Sequence, residues 1–530
     1  MRIAIAGAIG GALILLAVPA AAKTLVFCSE GNPESLNPQI VTTTTGINAG
    51  RPFFNNLVEF PPGSTEPVPA LAESWEISDD GLEYLFHLRR GVKFQSSDIF
   101  TPTREMNADD VLFSLERQWK EDHPYHNVSG SNYDYFKDMG MPDLLQSIEK
   151  VDDYTVRFRL TRPAAPFLAD LAMPFNIIQS AEYGDLLLKA GTPEKIDTNP
   201  IGTGPFEFVG FQPEVAVRYR AFAGYWGGKQ PIDTLVFSIT PNAAVRLTKL
   251  KAGECHVIAF PSPGDRAAIE ADPSLKFLQQ EGFNIGYLAM NTTKPPFDDV
   301  RVRRAVNMAI DKATIVEAVY QGAGVAAKNP IPPTLWSYND DIEDYPYDPA
   351  AAQKLMIEAG LAEGFDVDLW YIPVSRPYNP NGKRVAELIQ NDLAKIGIRA
   401  NLVSEEWSAY RQKLQDGETS MALYGWTGDN GDPDNFLDVL LGCTAARIGG
   451  NNIARWCNRD YDKLVNDAKL ITDRDARSKL YREAQVILHA DAPWVPLAHS
   501  VVFMATRANV TGFKMDPLGR HAFEGVDLAE

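Results

Sequence analysis

The sequence predicts an exported α/β protein of two or three domains. Its 530 residues exceed the length that one hydrophobic core normally supports. Strand-like runs at residues 156–160 and 235–239 alternate with helical stretches such as residues 243–251, a pattern typical of α/β folds. The first residues carry the charge and apolar pattern of an export signal. We therefore expect a large buried core that is divided between domains.

The N-terminus has the three parts of a secretory signal peptide. A short cationic start at residues 1–2 precedes an apolar run over residues 3–18, and the alanines at 20–22 form a cleavage site before Lys23. A membrane anchor would need about 20 apolar residues, and this run is shorter. No cysteine follows the cleavage site directly, so a lipid anchor is not indicated. We expect residues 1–22 to be removed and the mature chain to be soluble.

The composition is that of an ordinary globular protein with an acid excess. Hydrophobic residues make up 45% and charged residues 22% of the chain, and the formal net charge is −19. Phosphate backbones are bound by basic patches, and no such patch is concentrated in the sequence. Nucleic acid is therefore excluded as an expected partner, and the acidity is most simply a contribution to solubility.

Four cysteines follow the signal: Cys28, Cys255, Cys443 and Cys457. An even number in an oxidising compartment favours disulfides, for which three connectivities are possible. Cys443 and Cys457 would close a short loop, and Cys28 with Cys255 would then tie the mature N-terminus to the middle of the chain. A zinc site is the alternative, but the sequence has no C-x-x-C pair. We expect two disulfides and no metal.

The first predicted elements after residue 56 are a hairpin and a helix. Asp80-Gly81 separates two alternating runs, which is a hairpin signal. One face of each strand should be buried, namely Trp75 and Ile77 on the first strand and Tyr84, Phe86 and Leu88 on the second. A helix is predicted to begin after Asn107, because a capping side chain there precedes two aspartates suited to the positive helix end.

A second α/β unit is predicted after Gly282. Residues 286–291 form a strand-like run, and amphipathic helical patterns follow at residues 302–310, 348–359 and 379–396. No short internal repeat is evident. The unit should therefore be a separate lobe of the molecule.

Residues 425–436 form a glycine-punctuated acidic turn between two apolar segments. Asp, Asn, Gly and Pro gather wherever a chain turns, so a plain solvent turn is one interpretation. Trp426 and Phe436 add large rings that such a turn does not need, and the other interpretation is a binding loop.

Enzymatic signatures are missing from the sequence. It contains no G-x-S-x-G elbow and no H-E-x-x-H motif, and Gly202-Thr203-Gly204 lacks the lysine of a phosphate loop. A calcium loop starting at Asp432 would place Cys443 where a bidentate glutamate is needed. We expect neither catalysis nor a cofactor.

Several segments resemble the periplasmic peptide-binding proteins of ABC transporters, which are bacterial extracellular solute-binding proteins of family 5. They are LAESWEISDDGLEYLFHLRRGVKF with NADDVLFSLER, NPIGTGPF at 199–206, and PPFDDVRVRRAVNMAIDK at 295–312. The dipeptide-binding branch is most similar, through KTLVFCSEGNPESLNPQ, RPYNPN at 376–381 and GWTGDNGDPDNF at 425–436. The resemblance covers nearly the whole mature chain.

The resemblance implies two α/β lobes around a hinge, with an extra α+β domain inserted in the first lobe. Lobe I would comprise residues 23–282 and 501–530, with the insert at about 56–198. Lobe II would comprise residues 283–500. The chain would thus cross the hinge twice and enclose a ligand between the lobes.

For a dipeptide ligand, both charged ends must be paired when the lobes bury them, because an unpaired buried charge is costly. Arg376 can hold the carboxylate bidentately, and Asp429 can hold the ammonium. The resemblance implies the same roles. Two anchors at a fixed separation would then select peptide length. Further candidate ligand-binding residues are Tyr378, Trp407, Trp426, Thr427 and Gly428 from lobe II, and Thr42 and Thr43 from lobe I.

The implied function is capture of dipeptides in the periplasm without covalent change. The expected partners are a dipeptide and an inner-membrane ABC permease complex, with a chemoreceptor as a further candidate, and the protein is expected to be a monomer. An oligopeptide, haem or another small amine-bearing solute is the alternative ligand, since one fold hosts several functions.

Overall fold

One long strand near the C-terminus joins the two halves of the molecule. The structure, a computed structural model, describes residues 22–130 and 132–529, so the signal-peptide prediction lies outside the described residues except for Ala22. The strands in chain order are β1 Thr24–Ser29, β2 Val58–Glu59, β3 Val68–Pro69, β4 Ala72–Ile77, β5 Glu83–Leu88, β6 Leu145–Asp152, β7 Thr155–Leu160, β8 Phe206–Gln212, β9 Ala216–Ala221, β10 Thr234–Ile239, β11 Val257–Ala259, β12 Leu275–Glu281, β13 Asn284–Met290, β14 Gly324–Ala326, β15 Phe365–Trp370, β16 Ile398–Val403, β17 Met421–Thr427, β18 Trp494–Arg507, β19 Val510–Thr511 and β20 Asp527–Leu528.

Helices alternate with these strands along most of the chain. In chain order they are α1 Thr44–Gly50, α2 Ala108–Trp119, α3 Asp134–Asp138, α4 Met141–Leu144, α5 Phe167–Leu171, α6 Ala181–Ala190, α7 Lys195–Thr198, α8 Ala243–Ala252, α9 Arg266–Glu270, α10 Val300–Ala309, α11 Lys312–Ile315, α12 Pro349–Glu358, α13 Gly382–Ala394, α14 Trp407–Gln415, α15 Asp434–Leu437, α16 Arg459–Lys469 and α17 Arg474–Asp491. Across residues 22–130 and 132–529, none of the helices has the length and apolarity that a membrane span requires.

The main sheet has the strand order β16-β15-β17-β13-β18-β11-β1-β10-β9-β8, and β12 and β14 also pair with β18. The start of β18 pairs with β13 and β14, and its end pairs with β11 and β12. Ser500 pairs with Gly324, whereas Val501 pairs with Glu281. This change of partners supports the lobe boundaries at 282/283 and 500/501, which we propose as the division of the chain.

A separate four-stranded sheet, β4-β5-β7-β6, lies within the proposed insert. The hairpin prediction is confirmed, since β4 and β5 pair antiparallel and Ile77 lies opposite Tyr84. The prediction that Ile77 is buried is wrong, because this residue is 47% exposed. The reason is its position at the end of β4, which forms the edge of the sheet and has no strand beyond it.

The helix predicted after Asn107 is α2, and its N-terminus is a capping box. The side chain of Asn107 accepts a hydrogen bond from the backbone of Asp109, and Asp110 accepts one from the backbone of Asn107. In lobe II, the third predicted helix starts later than expected. Asn381 caps α13, because residues 376–379 are already held in a tight turn.

The predicted cysteine pairs are both joined in the structure. Cys28 lies on β1, and Cys255 lies two residues before the start of β11, the parallel neighbour of β1. Their Cα atoms are 5.9 Å apart. Cys443 and Cys457 close the short loop before α16, with 4.6 Å between their Cα atoms. The first disulfide therefore links β1, near the start of the mature chain, to the segment that leads into its neighbouring strand β11.

Candidate functional site

The proposed charged anchors follow two neighbouring strands of lobe II. Arg376 lies in the loop after β15, and Asp429 lies two residues after the end of β17, which pairs parallel with β15. The carboxyl ends of parallel strands meet at one edge of a sheet, and ligands of open α/β sheets bind at that edge. Local topology therefore brings residues distant in sequence to one side of the lobe.

A pocket at this edge lies between the lobes, and we call it the interlobe pocket. Its lining residues are Thr42, Thr43, Thr44, Tyr135, Arg376, Tyr378, Trp407, Tyr424, Gly425, Trp426, Thr427 and Asp429. Residues from both lobes face each other across it. Its cavity volume is about 30 Å³, and on the same measure a single water needs roughly 10–15 Å³. The lobes are thus closed upon each other.

The Arg376 end of the pocket contains a salt bridge between the lobes. The Nη1 atom of Arg376 lies 3.2 Å from Oε1 of Glu30, which follows β1 in lobe I. Only 7% of the Arg376 side chain and 3% of the Glu30 side chain are exposed. Burial alone would raise the pKa of Glu30, but the charge of Arg376 and a hydrogen bond from Thr45 contribute to holding that pKa below its ordinary value.

The Asp429 end has a hydrogen bond between the lobes but no ion pair among the described residues. The hydroxyl of Tyr135, from the insert, donates to Oδ2 of Asp429 at 2.6 Å. Burial raises the pKa of Asp429 to about 7, although the hydrogen bond from Tyr135 acts in the opposite direction. Because burial disfavours the charged form of Asp429, a cation brought by a ligand would stabilise its ionised carboxylate.

Asn435 holds the acidic loop of residues 425–436 in shape. Its Oδ1 atom accepts hydrogen bonds from the indole of Trp426 at 3.1 Å and from the backbone of Asp429 at 2.9 Å. Tyr135 packs edge-on against Trp426, with 5.9 Å between the ring centroids. The acidic loop is therefore anchored through α15, and Thr427 joins Trp426 in the lining.

Tyr378 and Trp407 form the wall next to Arg376. The guanidinium of Arg376 lies 4.8 Å from the ring centroid of Trp407, a cation–π distance. A side chain at Gly425 would place its Cβ 2.2 Å from the ring of Tyr378, so glycine is required there. The indole nitrogen of Trp407 is buried without a hydrogen-bond partner among the described residues.

The two threonines of lobe I line the pocket, but their hydroxyls are already used. Thr42 accepts a hydrogen bond from Arg411. Thr43 caps α1 by accepting from the backbone of Gly46 at 3.1 Å, and it donates to Glu34 at 2.7 Å. Their side chains serve first to shape the lobe I wall.

Gly428 is the one predicted site residue that does not line the pocket. Its backbone N–H donates to the carbonyl of Phe283 at 2.8 Å, and an added Cβ would lie 2.4 Å from the ring of that residue. Gly428 therefore permits close packing behind the loop. The other predicted residues are brought together.

Sequence reasoning missed Glu30, Tyr135 and Arg411. It also missed Thr44 and Tyr424, which line the pocket. Glu30 could have been found, because it directly follows a strand at the functional edge of the sheet. Arg411 lies four residues after Trp407 on α14 and so shares its face of the helix. Tyr135 carries no local signal, since only the docking of the insert places it against Asp429.

The sequence is similar to a known family and to proteins within it. A family model described as "Bacterial extracellular solute-binding proteins, family 5 Middle" matches residues 66–447. The chain is 53% identical over 523 residues to the dipeptide-binding protein of Escherichia coli strain K12, covering 98% of each chain. It is 52% identical over 507 residues to heme-binding protein A of Haemophilus influenzae, covering 96% of this chain and 92% of the relative.

A solved structure is similar over the whole described molecule. The dipeptide-binding protein of Pseudoalteromonas sp. SM9913, in complex with Met-Leu, matches with a TM-score of 0.93 and 39% identity, covering 96% of this chain and 100% of that chain. The expected two-lobed α/β fold is thereby confirmed.

Proposed function

The chain belongs to the bacterial extracellular solute-binding proteins of family 5, and we propose on that basis that it captures dipeptides between its lobes. The E. coli and Pseudoalteromonas relatives are named for dipeptide binding. The protein then delivers its ligand to an inner-membrane ABC permease. It acts in the periplasm as a monomer after removal of residues 1–22.

The observation that carries this proposal is the presence of Arg376 and Asp429 in one pocket closed by both lobes. A dipeptide is a zwitterion, and each of its charges needs a partner when water is excluded. Asp429 binds the ammonium, which supplies the cation that this end otherwise lacks. Arg376 binds the carboxylate, together with the free indole N–H of Trp407.

Binding requires the lobes to part and close again. A cavity of about 30 Å³ is too small for a dipeptide, so the closed arrangement opens at the contacts between Arg376 and Glu30 and between Asp429 and Tyr135. A ligand favours closure by as much as it binds the closed form better than the open form. The ligand's two charges provide that difference.

The charge pattern favours a short peptide over haem or an oligopeptide. Haem has no ammonium for Asp429, and an oligopeptide with its ammonium at Asp429 would carry its carboxylate beyond Arg376. The family to which the chain belongs is described as one of extracellular solute-binding proteins, and the relatives named above are called binding proteins. We therefore propose binding without catalysis.

Mass spectrometry of ligands released from the protein purified from its own periplasm tests this function. We expect a mixture of dipeptides in roughly one equivalent per chain. A single non-peptide species, such as haem, would contradict the proposal. Incubation of the protein with several dipeptides should give no new products, whereas free amino acids accumulating with time would identify a peptidase.

A further inference from the structure

A second cavity lies within lobe I, and it shares no lining residue with the interlobe pocket. It has a volume of about 210 Å³ and lies between the β2–β3 hairpin, the start of β8 and the segment 521–524. This is below the roughly 300–1,000 Å³ of pockets that enclose drug-sized ligands. An occupant would therefore be smaller than such a ligand. We call this space the lobe I cavity.

Aromatic rings form the walls of the lobe I cavity: Phe54, Phe60, Phe206, Tyr225 and Trp226. The indole N–H of Trp226 donates to Oδ1 of Asn55 at 3.1 Å, and the hydroxyl of Tyr225 donates to Oε1 of Glu524 at 3.1 Å. The polar edges of both rings are thus satisfied. The Arg89 guanidinium covers one face of Trp226 at 4.6 Å from the ring centroid, and the ring surface that faces the cavity is suited to an apolar side chain.

Charges of opposite sign line the same cavity without pairing. In the described part of the chain, the guanidinium of Arg51 makes no hydrogen bond and no ion pair, although it is near enough to influence Glu524 electrostatically. The Glu524 carboxylate accepts a hydrogen bond from Tyr225 alone among the described residues. Glu59 also lines the cavity, and one of its oxygens accepts from both Asn55 and Asn56. Burial and the nearby charge of Glu59 raise the pKa of Glu524.

We propose that the lobe I cavity binds a free amino acid with an apolar or aromatic side chain. Arg51 pairs with the carboxylate of the ligand, and Glu524 pairs with its ammonium. The aromatic walls take up the side chain. A zwitterion fits because its carboxylate pairs with Arg51 and its ammonium pairs with Glu524. An amine alone would leave Arg51 unpaired, and an acid alone would leave Glu524 unpaired.

Fluorine NMR of 4-fluoro-L-phenylalanine tests this site, in the presence of saturating Ala-Ala to occupy the interlobe pocket. We expect concentration-dependent line broadening, with probe concentrations up to about 5 mM sufficient to detect millimolar affinity. Two analogues serve as probes of charge: 4-fluorophenethylamine lacks the carboxylate, and 3-(4-fluorophenyl)propionate lacks the ammonium. Each should bind about tenfold or more weakly than the amino acid.

Two surface variants identify the residues. Arg51→Gln should weaken the amino acid about tenfold or more and leave the amine analogue unweakened, and Glu524→Gln should weaken the amino acid but not the acid analogue. Circular dichroism of both variants confirms that they fold. No broadening with the wild-type protein, or equal broadening with all variants, would overturn the proposal.

The Asp429→Asn variant separates this site from the interlobe pocket. Broadening that persists in Asp429→Asn supports the lobe I cavity, whereas its disappearance there would place the probe between the lobes and overturn the proposal. A failure of the dipeptide proposal would appear instead as unchanged dipeptide affinity in Asp429→Asn. The two outcomes are therefore distinguishable.

Discussion

The two ends of the interlobe pocket satisfy their charges in different ways. At one end, Arg376 is paired with Glu30 across the lobes. At the other end, Asp429 has the hydroxyl of Tyr135 and no cation within ion-pair distance among the described residues. One end is closed by a charge pair within the protein, and the other has an acid whose pKa is raised to about 7 by burial.

This difference indicates separate contributions to binding. In the proposed complex the ligand ammonium would complete the Asp429 end, so its loss would leave a charge unpaired. The ligand carboxylate would share Arg376 with Glu30, so the same arginine would contribute to both closure and recognition. We therefore expect substitution of Asp429 to lower dipeptide affinity most. Substitution of Arg376 should both lower dipeptide affinity and disfavour closure of the lobes.

The largest effect is expected for Asp429→Asn. The amide keeps the shape of the side chain but cannot neutralise an ammonium, and truncating one member of a buried charge pair costs about 2–5 kcal/mol. Dipeptide affinity should fall roughly 30- to 5,000-fold, measured by titration calorimetry. Asp79→Asn, at an exposed hairpin position, is the control and should bind normally. Unchanged affinity in Asp429→Asn would remove Asp429 from its role.

A smaller effect is expected for Arg376→Gln, because other donors remain at that end. Hydrogen bonds to charged groups contribute about 1.5–3 kcal/mol, so affinity should fall roughly 10- to 150-fold. The variant also leaves Glu30 buried without its partner, which disfavours closure. Small-angle scattering should therefore show a more open molecule.

The double variant Arg376→Gln/Glu30→Gln separates these two contributions. Compared with Arg376→Gln, the double variant should show the closed dimensions in small-angle scattering again. It should regain only part of the dipeptide affinity of the wild-type protein. If Arg376→Gln binds dipeptides normally while Arg411→Gln does not, the carboxylate is held by Arg411 and the assignment to Arg376 is wrong.

Binding should depend on pH with a maximum between about pH 7 and 8. Below pH 7, Asp429 is protonated and neutral, because its pKa is raised to about 7, and affinity should fall by up to about tenfold per pH unit. Above pH 8 the ammonium of the ligand loses its proton and its positive charge, since α-amino groups titrate near 7.7–8.0. Glu30, with its lowered pKa, stays ionised throughout.

Calorimetry across pH 5–9 measures this profile for the wild-type protein. In buffers of different ionisation enthalpy near pH 7, binding should release a fraction of a proton as the ligand ammonium favours ionised Asp429. A flat profile without proton release would show that Asp429 does not titrate in the binding step.

The smallest effect is expected for Tyr135→Phe. Removing the hydroxyl deletes the hydrogen bond that lowers the pKa of Asp429, so the acidic limb of the pH profile should move to higher pH. At pH 8, above the wild-type pKa of Asp429, affinity should change by less than about tenfold. A shift to lower pH would contradict the proposed role of this hydrogen bond.

Sequence patterns predicted the local elements and the loop well. Asp80-Gly81 located the hairpin, Asn107 located the start of α2, and the mixture of rings and acids at residues 425–436 located a loop that lines the pocket. These features depend on neighbours in sequence, where turn chemistry and capping act. Arg376 was placed with Asp429 by the resemblance.

Contacts between the lobes could not be predicted from the sequence. The pairs Arg376–Glu30 and Asp429–Tyr135 join residues 346 and 294 positions apart. Their proximity depends on how the insert and lobe I dock on lobe II. The packing role of Gly428 likewise follows from Phe283, a neighbour that the fold brings in.

The central claim is that the pocket recognises both ends of a dipeptide, and calorimetry with blocked ligands tests it most directly. The wild-type protein should be titrated with Ala-Ala, with N-acetyl-Ala-Ala and with Ala-Ala amide at pH 7.5. We predict that acetylation weakens binding more than amidation, and that each block weakens it at least about tenfold. Equal affinity for all three ligands would contradict the account.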